Sequence, residues 1–382
     1  MPTKSDLLQR QALPLEAKVL MTQNRIREWY NYWNGDVCVS FSGGKDSTVL
    51  AHIVHDMYPD VPLVFSNTGL EYPEIQSFAR KMGADFIRPK LMFSEVISKY
   101  GYPIISKENA ETIHGARIIK NGARGQRKGA GVPTKNPNGE WLNWRRKALH
   151  GIPPFDKGYY EKRKWLPLAR DTQFMISHYC CNIMKKEPLS AYEKKHGVYP
   201  IIGTLTEESK LRERTWIRQG CNAFEGKHKS STPMSFWREQ DVLEYIVTRG
   251  IEICSVYGDI VEVKTDNDGY EYDSLIPGSG KLKCSKCERT GCIFCGFGVH
   301  NEKGETRFQQ LAKTHPRQYE YCMGGGQWVP NPAYDPTAPK MDEFWENWNP
   351  KEIWVPSKEG LGMKKVFDDC NQIYGPNFIR YE

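Results

Sequence analysis

Val37-Cys38-Val39-Ser40-Phe41 runs directly into Ser42-Gly43-Gly44-Lys45-Asp46-Ser47, and Thr48-Val49-Leu50-Ala51-His52-Ile53-Val54 follows. The first stretch is apolar and β-branched, which suits a buried strand. The last carries apolar residues at helical spacing. Between them, two glycines allow unusual φ values and a close approach of backbone to ligand. Amide groups here and in the first helical turn form a nest for an anion. Lys45 adds a point charge, and Ser42 and Ser47 add hydroxyls. The spacing fits neither a Walker A loop nor a dinucleotide fingerprint. The ligand expected here is a phosphate or pyrophosphate, held by Ser40, Ser42, Gly43, Gly44, Lys45, Asp46 and Ser47.

Strands and helices alternate outward from this turn. Residues 7–33 read as helix, 37–41 as the first strand, and the following helix ends near Met57. Val61 to Phe65 reads as a second strand, with Asn67-Thr68-Gly69 after it and a helix opening near Pro73. Asp85–Arg88 and Tyr199–Gly203 read as further strands, and 207–219 and 237–249 as helices. The pattern predicts an α/β fold, a parallel twisted sheet with helices on both faces. Ligands of such sheets bind off the carboxyl ends of the strands. There Asn67, Thr68 and Gly69 are expected to read an adenine edge. Gly203, Glu208, Ser209 and Arg212 follow a later strand, and Arg212 is expected to compensate a phosphate or sulfate charge.

The expected division is an N-terminal helical segment 1–35, a nucleotide-binding domain 36–250 with an insertion at about 106–165, and a cysteine-rich region 251–382. The chain has 382 residues and a net charge of +7. Between Gly115 and Arg170 there are 14 Lys or Arg against 3 Asp or Glu, interleaved with Trp141, Trp144, Tyr159, Tyr160 and Trp165. A basic, aromatic-laced segment suits a phosphate backbone with bases to stack on. A solvated basic loop is the plainer alternative. No run approaches the ~18 apolar residues of a membrane span, and no apolar leader opens the chain. A cytoplasmic protein without membrane partners is expected, with its 11 cysteines as thiols or metal ligands.

Cys284, Cys287, Cys292 and Cys295 form Cys-x2-Cys-x4-Cys-x2-Cys, and Cys180-Cys181 lie upstream. Zinc ribbons separate their pairs more widely, by about 15–20 residues, whereas four thiolates suit a [4Fe–4S] cluster. An iron–sulfur cluster is expected, with zinc or plain thiols as alternatives. Which four of the six cysteines ligate is open on spacing alone.

Taken together, these motifs resemble the phosphoadenosine phosphosulfate reductase-like family of the ATP pyrophosphatase superfamily. The resemblance rests on the Ser42–Ser47 loop, on His178-Tyr179-Cys180-Cys181 with Lys185-Lys186-Glu187-Pro188-Leu189, and on Gly203 with Glu208-Ser209 and Arg212. It extends through Pro233-Met234-Ser235-Phe236-Trp237 with Asp241-Val242, and Gly291-Cys292-Ile293-Phe294-Cys295. It implies an adenine nucleotide alpha hydrolase-like fold, and ligation by Cys180, Cys181, Cys292 and Cys295. Residues 106–165 and those after about 310 look like the family's phage- and prophage-associated members. The intact loop with Lys45 resembles members that cleave ATP to AMP and pyrophosphate, such as tRNA thiolases. The reductases' C-terminal Glu-Cys-Gly-Leu-His is missing. The implied function is ATP- and Mg2+-dependent adenylylation of an acceptor for sulfur transfer or nucleic-acid modification. Lys45, Asp46 and Arg212 are its catalytic residues. Its expected partners are DNA or tRNA and a sulfur donor such as a cysteine desulfurase. A sulfonucleotide reductase, with Cys322 or Cys370 as donor thiol, and a catalytically silent nucleic-acid-binding component are the alternatives.

Overall fold

The computed structural model describes residues 2–118, 144–158, 161–226, 228–266, 271–274, 278, 280–337 and 348–382. The chain divides into two compact units that interleave in sequence: residues 1–90 with 184–292, and 91–183 with 293–382. This differs from three consecutive segments. A unit is defined by which elements pack together, and here each is closed by two distant stretches of chain.

The first unit is built on a six-stranded sheet. Its order is Asp85–Ile87, Leu63–Ser66, Val37–Phe41, Tyr199–Ile202, Ser230–Ser231, Asn222–Ala223. All neighbours pair in parallel except the last two, which are antiparallel. The α/β fold expected from sequence is therefore present. Val37–Phe41 is central, and Val37, Cys38, Val39 and Phe41 are at most 2% exposed. A strand covered on both sides reads as an unbroken apolar run, which is why this one was legible. Helix Lys45–Met57 packs on that strand and meets helices Leu15–Tyr32 and Glu239–Arg249. Helix Glu187–His196 packs against Leu63–Ser66 and Asp85–Ile87.

The N-terminal helix expected over 7–33 is two helices, Lys4–Gln11 and Leu15–Tyr32. Pro14 stands between them as the N-cap of the second. Proline has no N–H for the helical ladder, so it is tolerated only at a helix start. The hairpin expected near Thr265–Tyr272 is present as Ile260–Thr265 paired antiparallel with Glu271–Asp273. Lys281–Cys284 adds a third strand on the other edge.

The second unit is mainly helical, with Phe93–Tyr100, Lys107–Ile118, Arg307–Thr314, Pro316–Met323 and Met363–Tyr374 as its longer helices. Two short ladders complete it: Ile104–Ile105 with Gly296–Phe297, and Gln327–Pro330 with Glu352–Val355. Much of the basic stretch, residues 119–143 and 159–160, lies outside the described residues. Two of its described arginines are buried: Arg117 is 8% and Arg146 5% exposed. Arg117 donates to the carbonyls of Leu168, Ala169 and Phe174 and to Thr172 Oγ1, at 2.7–2.9 Å. Its guanidinium lies 4.3 Å from the centre of the Trp348 ring. These cations hold the unit together. No helix among the described residues is long and apolar enough to cross a membrane.

Candidate active site

The turn after Val37–Phe41 is tied to its own helix. Ser42 N–H donates to Ser47 Oγ at 3.2 Å, and the two hydroxyls are 3.0 Å apart. Ser47 and Thr48 donate to the Gly44 carbonyl at 2.9 and 3.0 Å. Gly44 is the N-cap, so Lys45, Asp46 and Ser47 form the first helical turn rather than the loop. Two glycines make the close packing possible. Gly43 has φ +71°, and a Cβ there would lie 2.8 Å from Ile75 Cγ2. A Cβ on Gly203, at the end of Tyr199–Ile202, would lie 3.0 Å from the Asp46 carbonyl oxygen.

Over this turn lies a cavity of about 420 Å³, within the range of roughly 300–1,000 Å³ typical of small-ligand sites. Ser40, Ser42, Gly44, Lys45, Asp46 and Ser47 line one side. Gly203, Thr204, Glu207, Glu208 and Arg212 line another. These two groups sit at the carboxyl ends of adjacent parallel strands, as the position rule for such sheets requires.

Lys45 is only 5% exposed. Its Nζ lies 2.9 Å from Glu239 Oε1, 3.5 Å from Asp46 Oδ1 and 3.4 Å from the Glu288 carbonyl. Burial opposes its charge, but Asp46 and then Glu239 outweigh burial and hold its pKa above the ordinary value. Burial pushes the Asp46 carboxyl up, with Lys45 offsetting only part of the rise. Asp46 Oδ1 is buried and has no hydrogen-bond partner. The Lys45 N–H, one of the amides expected to face an anion, donates to Tyr257 Oη at 3.1 Å. Tyr257 Oη in turn lies 2.7 Å from Thr290 Oγ1, and burial raises this phenol to about 12. Arg212 pairs with Glu208, and Arg289 approaches the same carboxylate at 3.9 Å.

Ser40, Ser42, Lys45, Asp46, Ser47, Gly203, Glu208 and Arg212 are thus brought together around one cavity. Gly43 shapes the turn without lining the cavity among the described residues. Ser209 caps helix Lys210–Gln219 through the Arg212 N–H at 3.3 Å. Asn67, Thr68 and Gly69 form a turn closed on itself: Thr68 Oγ1 donates to Glu71 at 2.7 Å, and Gly69 N–H to Asn67 Oδ1 at 3.2 Å. They stand at the end of the neighbouring strand and are not among the described lining residues.

Sequence reading quoted Lys185 only as part of a family motif and missed Glu239, Tyr257, Arg289 and Thr290; all five line the cavity. Glu239 is the first residue of helix Glu239–Arg249. That helix start is fixed by Lys18, whose Nζ lies 2.7 Å from both Asp241 oxygens. The signal was an acid at a helix N-terminus, which is ordinary dipole complementation and points to no ligand by itself.

The six cysteines expected to ligate a metal are shared between the two units. Cys284, Cys287 and Cys292 belong to the first unit, and Cys180, Cys181 and Cys295 to the second. Cys284 ends a strand and is 3% exposed, with its thiol raised to about 11, first by burial. Cys287 Sγ lies 3.0 Å from the Arg289 carbonyl. Among the described residues, no group of three or more Cys, His, Asp or Glu side chains is placed to hold a metal ion.

The model of the phosphoadenosine phosphosulfate reductase domain matches residues 36–106 and 157–296, more than half of the chain. An uncharacterized protein of Methanocaldococcus jannaschii is 24% identical over 244 residues, 64% of this chain and 43% of that protein. The chain therefore spans less than half that relative's length. Among solved structures, phosphoadenylyl-sulfate reductase from Candida auris in its phosphate complex is similar with a TM-score of 0.33 and 11% identity, covering 67% of this chain and 91% of that one. A U34-tRNA thiolase of Methanococcus maripaludis with its [4Fe-4S] cluster is similar with a TM-score of 0.30 and 13% identity, covering 63% of this chain and 65% of that one. The chain belongs to the phosphoadenosine phosphosulfate reductase domain family, a family of nucleotide-binding enzymes.

Proposed function

We propose that this protein binds ATP in the cavity over Ser42–Ser47 and cleaves it to AMP and pyrophosphate, adenylylating an acceptor. One observation carries the reading: an intact Ser-Gly-Gly-Lys-Asp-Ser turn with a buried, charged Lys45, at the carboxyl end of the central parallel strand. Gly44, Ser42 and Ser47 would hold the β- and γ-phosphates, with Lys45 neutralising charge that builds on the leaving pyrophosphate. Asp46, whose buried Oδ1 has the Lys45 ammonium at 3.5 Å but no hydrogen-bond partner, is the carboxylate that would hold Mg2+, which when bound screens the polyphosphate charge. Arg212 faces the acceptor side. An acceptor oxygen attacks the α-phosphorus and pyrophosphate departs, leaving AMP on the acceptor; AMP is released when a sulfur nucleophile, or water, displaces it at the acceptor carbon.

The acceptor reading is nucleic acid, DNA or tRNA, supported by the basic stretch between Gly115 and Arg170. Arg117 and Arg146 are spoken for structurally, so the contacts would come from the other cations of that stretch. Salt-sensitive polynucleotide binding, weakened by neutralising Lys120, Arg124, Arg127 and Lys128 together, tests this. An iron–sulfur or zinc site rests on cysteine spacing alone, and no step is routed through one.

The reductase reading needs a nucleophilic thiol in the C-terminal region. Cys322 and Cys370 are both 0% exposed, and burial pushes both thiols up. This favours adenylylation. The test is product analysis with Mg-ATP, with and without DNA or tRNA. AMP and pyrophosphate support the proposal. Sulfite released from a sulfonucleotide without ATP cleavage refutes it. Nucleic-acid binding and biological function that both survive Lys45→Ala would favour the silent component.

A further inference from the structure

The Lys45 ammonium is already paired with the protein's own carboxylates. Glu239 Oε1 sits 2.9 Å from Lys45 Nζ, the distance at which a phosphate oxygen would pair with the same ammonium. Asp46 Oδ1 lies 3.5 Å from the same ammonium. One cation therefore faces two carboxylates, and the trio carries a net negative charge. Lys45 is 6% exposed at its side chain, whereas Glu239 is 38% exposed and sits at the cavity wall. Glu239 does not belong to the turn. It is presented from another helix, whose first N–H donates to Glu207 Oε1 at 2.5 Å.

We infer that Glu239 is a specificity-determining residue, which makes the site selective for polyphosphates that arrive with a divalent cation. A bare anion must compete with Glu239 for Lys45, and is then repelled by the displaced carboxylate at short range. A polyphosphate carrying its own cation offsets both carboxylates. A nucleotide whose anionic group brings no metal finds the nest closed. This deepens the ATP reading, on which its biological meaning rests, but the physical claim concerns any anion at Lys45.

The test is calorimetric binding of inorganic pyrophosphate and of ATP, each in Mg2+ and in EDTA, to the full chain and to its Glu239→Gln and Glu239→Ala variants. Glu239 is half-exposed, and neutralising it leaves Lys45 paired with Asp46, so both variants should fold; circular dichroism checks this. The unaltered protein should bind pyrophosphate markedly more weakly in EDTA. Both variants should bind metal-free pyrophosphate about tenfold more tightly, a gain of about 1.4 kcal/mol, while binding in Mg2+ changes little. A gain in affinity is a readout that loss of structure does not produce. An unchanged ratio between Mg2+ and EDTA would overturn the inference. Weaker binding of Mg-pyrophosphate in both variants would also overturn it, by making Glu239 a metal-holding group. Pyrophosphate behaving as expected while ATP fails to bind in any condition would sustain the role of Glu239 and remove the ATP reading.

Discussion

Replacing Lys45 by alanine separates the chemistry of the turn from its architecture. The substitution removes the ammonium from a position 2.9 Å from Glu239 and 3.5 Å from Asp46. Glu239, 38% exposed, recovers solvation in water. Asp46 Oδ1 is buried without a hydrogen-bond partner, so it bears the loss, at roughly 1–3 kcal/mol for an uncompensated polar group. For a unit of this size that is a fall of roughly 2–10 °C in melting temperature, short of unfolding. The effect on catalysis is larger. A preorganised charge aimed at a developing anion contributes on the order of 10²–10³ in rate. Pyrophosphate release from Mg-ATP, followed by a coupled phosphate assay on folded protein, should fall by that factor in kcat/KM. A folded Lys45→Ala protein within about threefold of the parent rate would refute the assignment of Lys45 to the leaving group.

Arg117→Ala should destabilise the second unit by roughly 3–5 kcal/mol, since it strips a buried guanidinium from three carbonyls and Thr172; a variant melting within 1–2 °C of the parent, as roughly 0.5 kcal/mol would give, contradicts this. His114 is 7% exposed, and burial lowers its pKa from 6.5 to about 4. The unfolded chain therefore takes up the proton first, so this contribution to stability is whole above about pH 6.5 and is lost as pH falls toward 4. Urea midpoints between pH 7 and 4.5 should fall in the parent and fall less in His114→Gln; identical profiles would remove His114 as a cause. Iron and labile sulfide measured after anaerobic purification test the cysteine spacing, with near-stoichiometric iron expected of a cluster and zinc alone excluding one.

The central strand and its turn were legible because their signal is local. An apolar run buried on both faces, two glycines and a helical apolar period lie within 18 residues of one another. The second wall of the cavity was legible for a similar reason, since Gly203 to Arg212 follow a recognisable strand. Glu239 and Tyr257 were not, because tertiary packing delivers them. The helix bearing Glu239 is pinned by a Lys18–Asp241 pair 223 positions apart in sequence, and no local pattern encodes that contact. Within the basic stretch, composition does not distinguish an arginine facing a phosphate from Arg117 facing carbonyls.

The most direct test of the account is a crystal structure with the α,β-methylene analogue of ATP and Mg2+. The account predicts the β- and γ-phosphates within hydrogen-bonding distance of the Gly44 amide, the Ser42 and Ser47 hydroxyls and Lys45 Nζ, with the α-phosphate directed toward Arg212. Phosphates bound elsewhere, with Lys45 still held by Glu239, would contradict it.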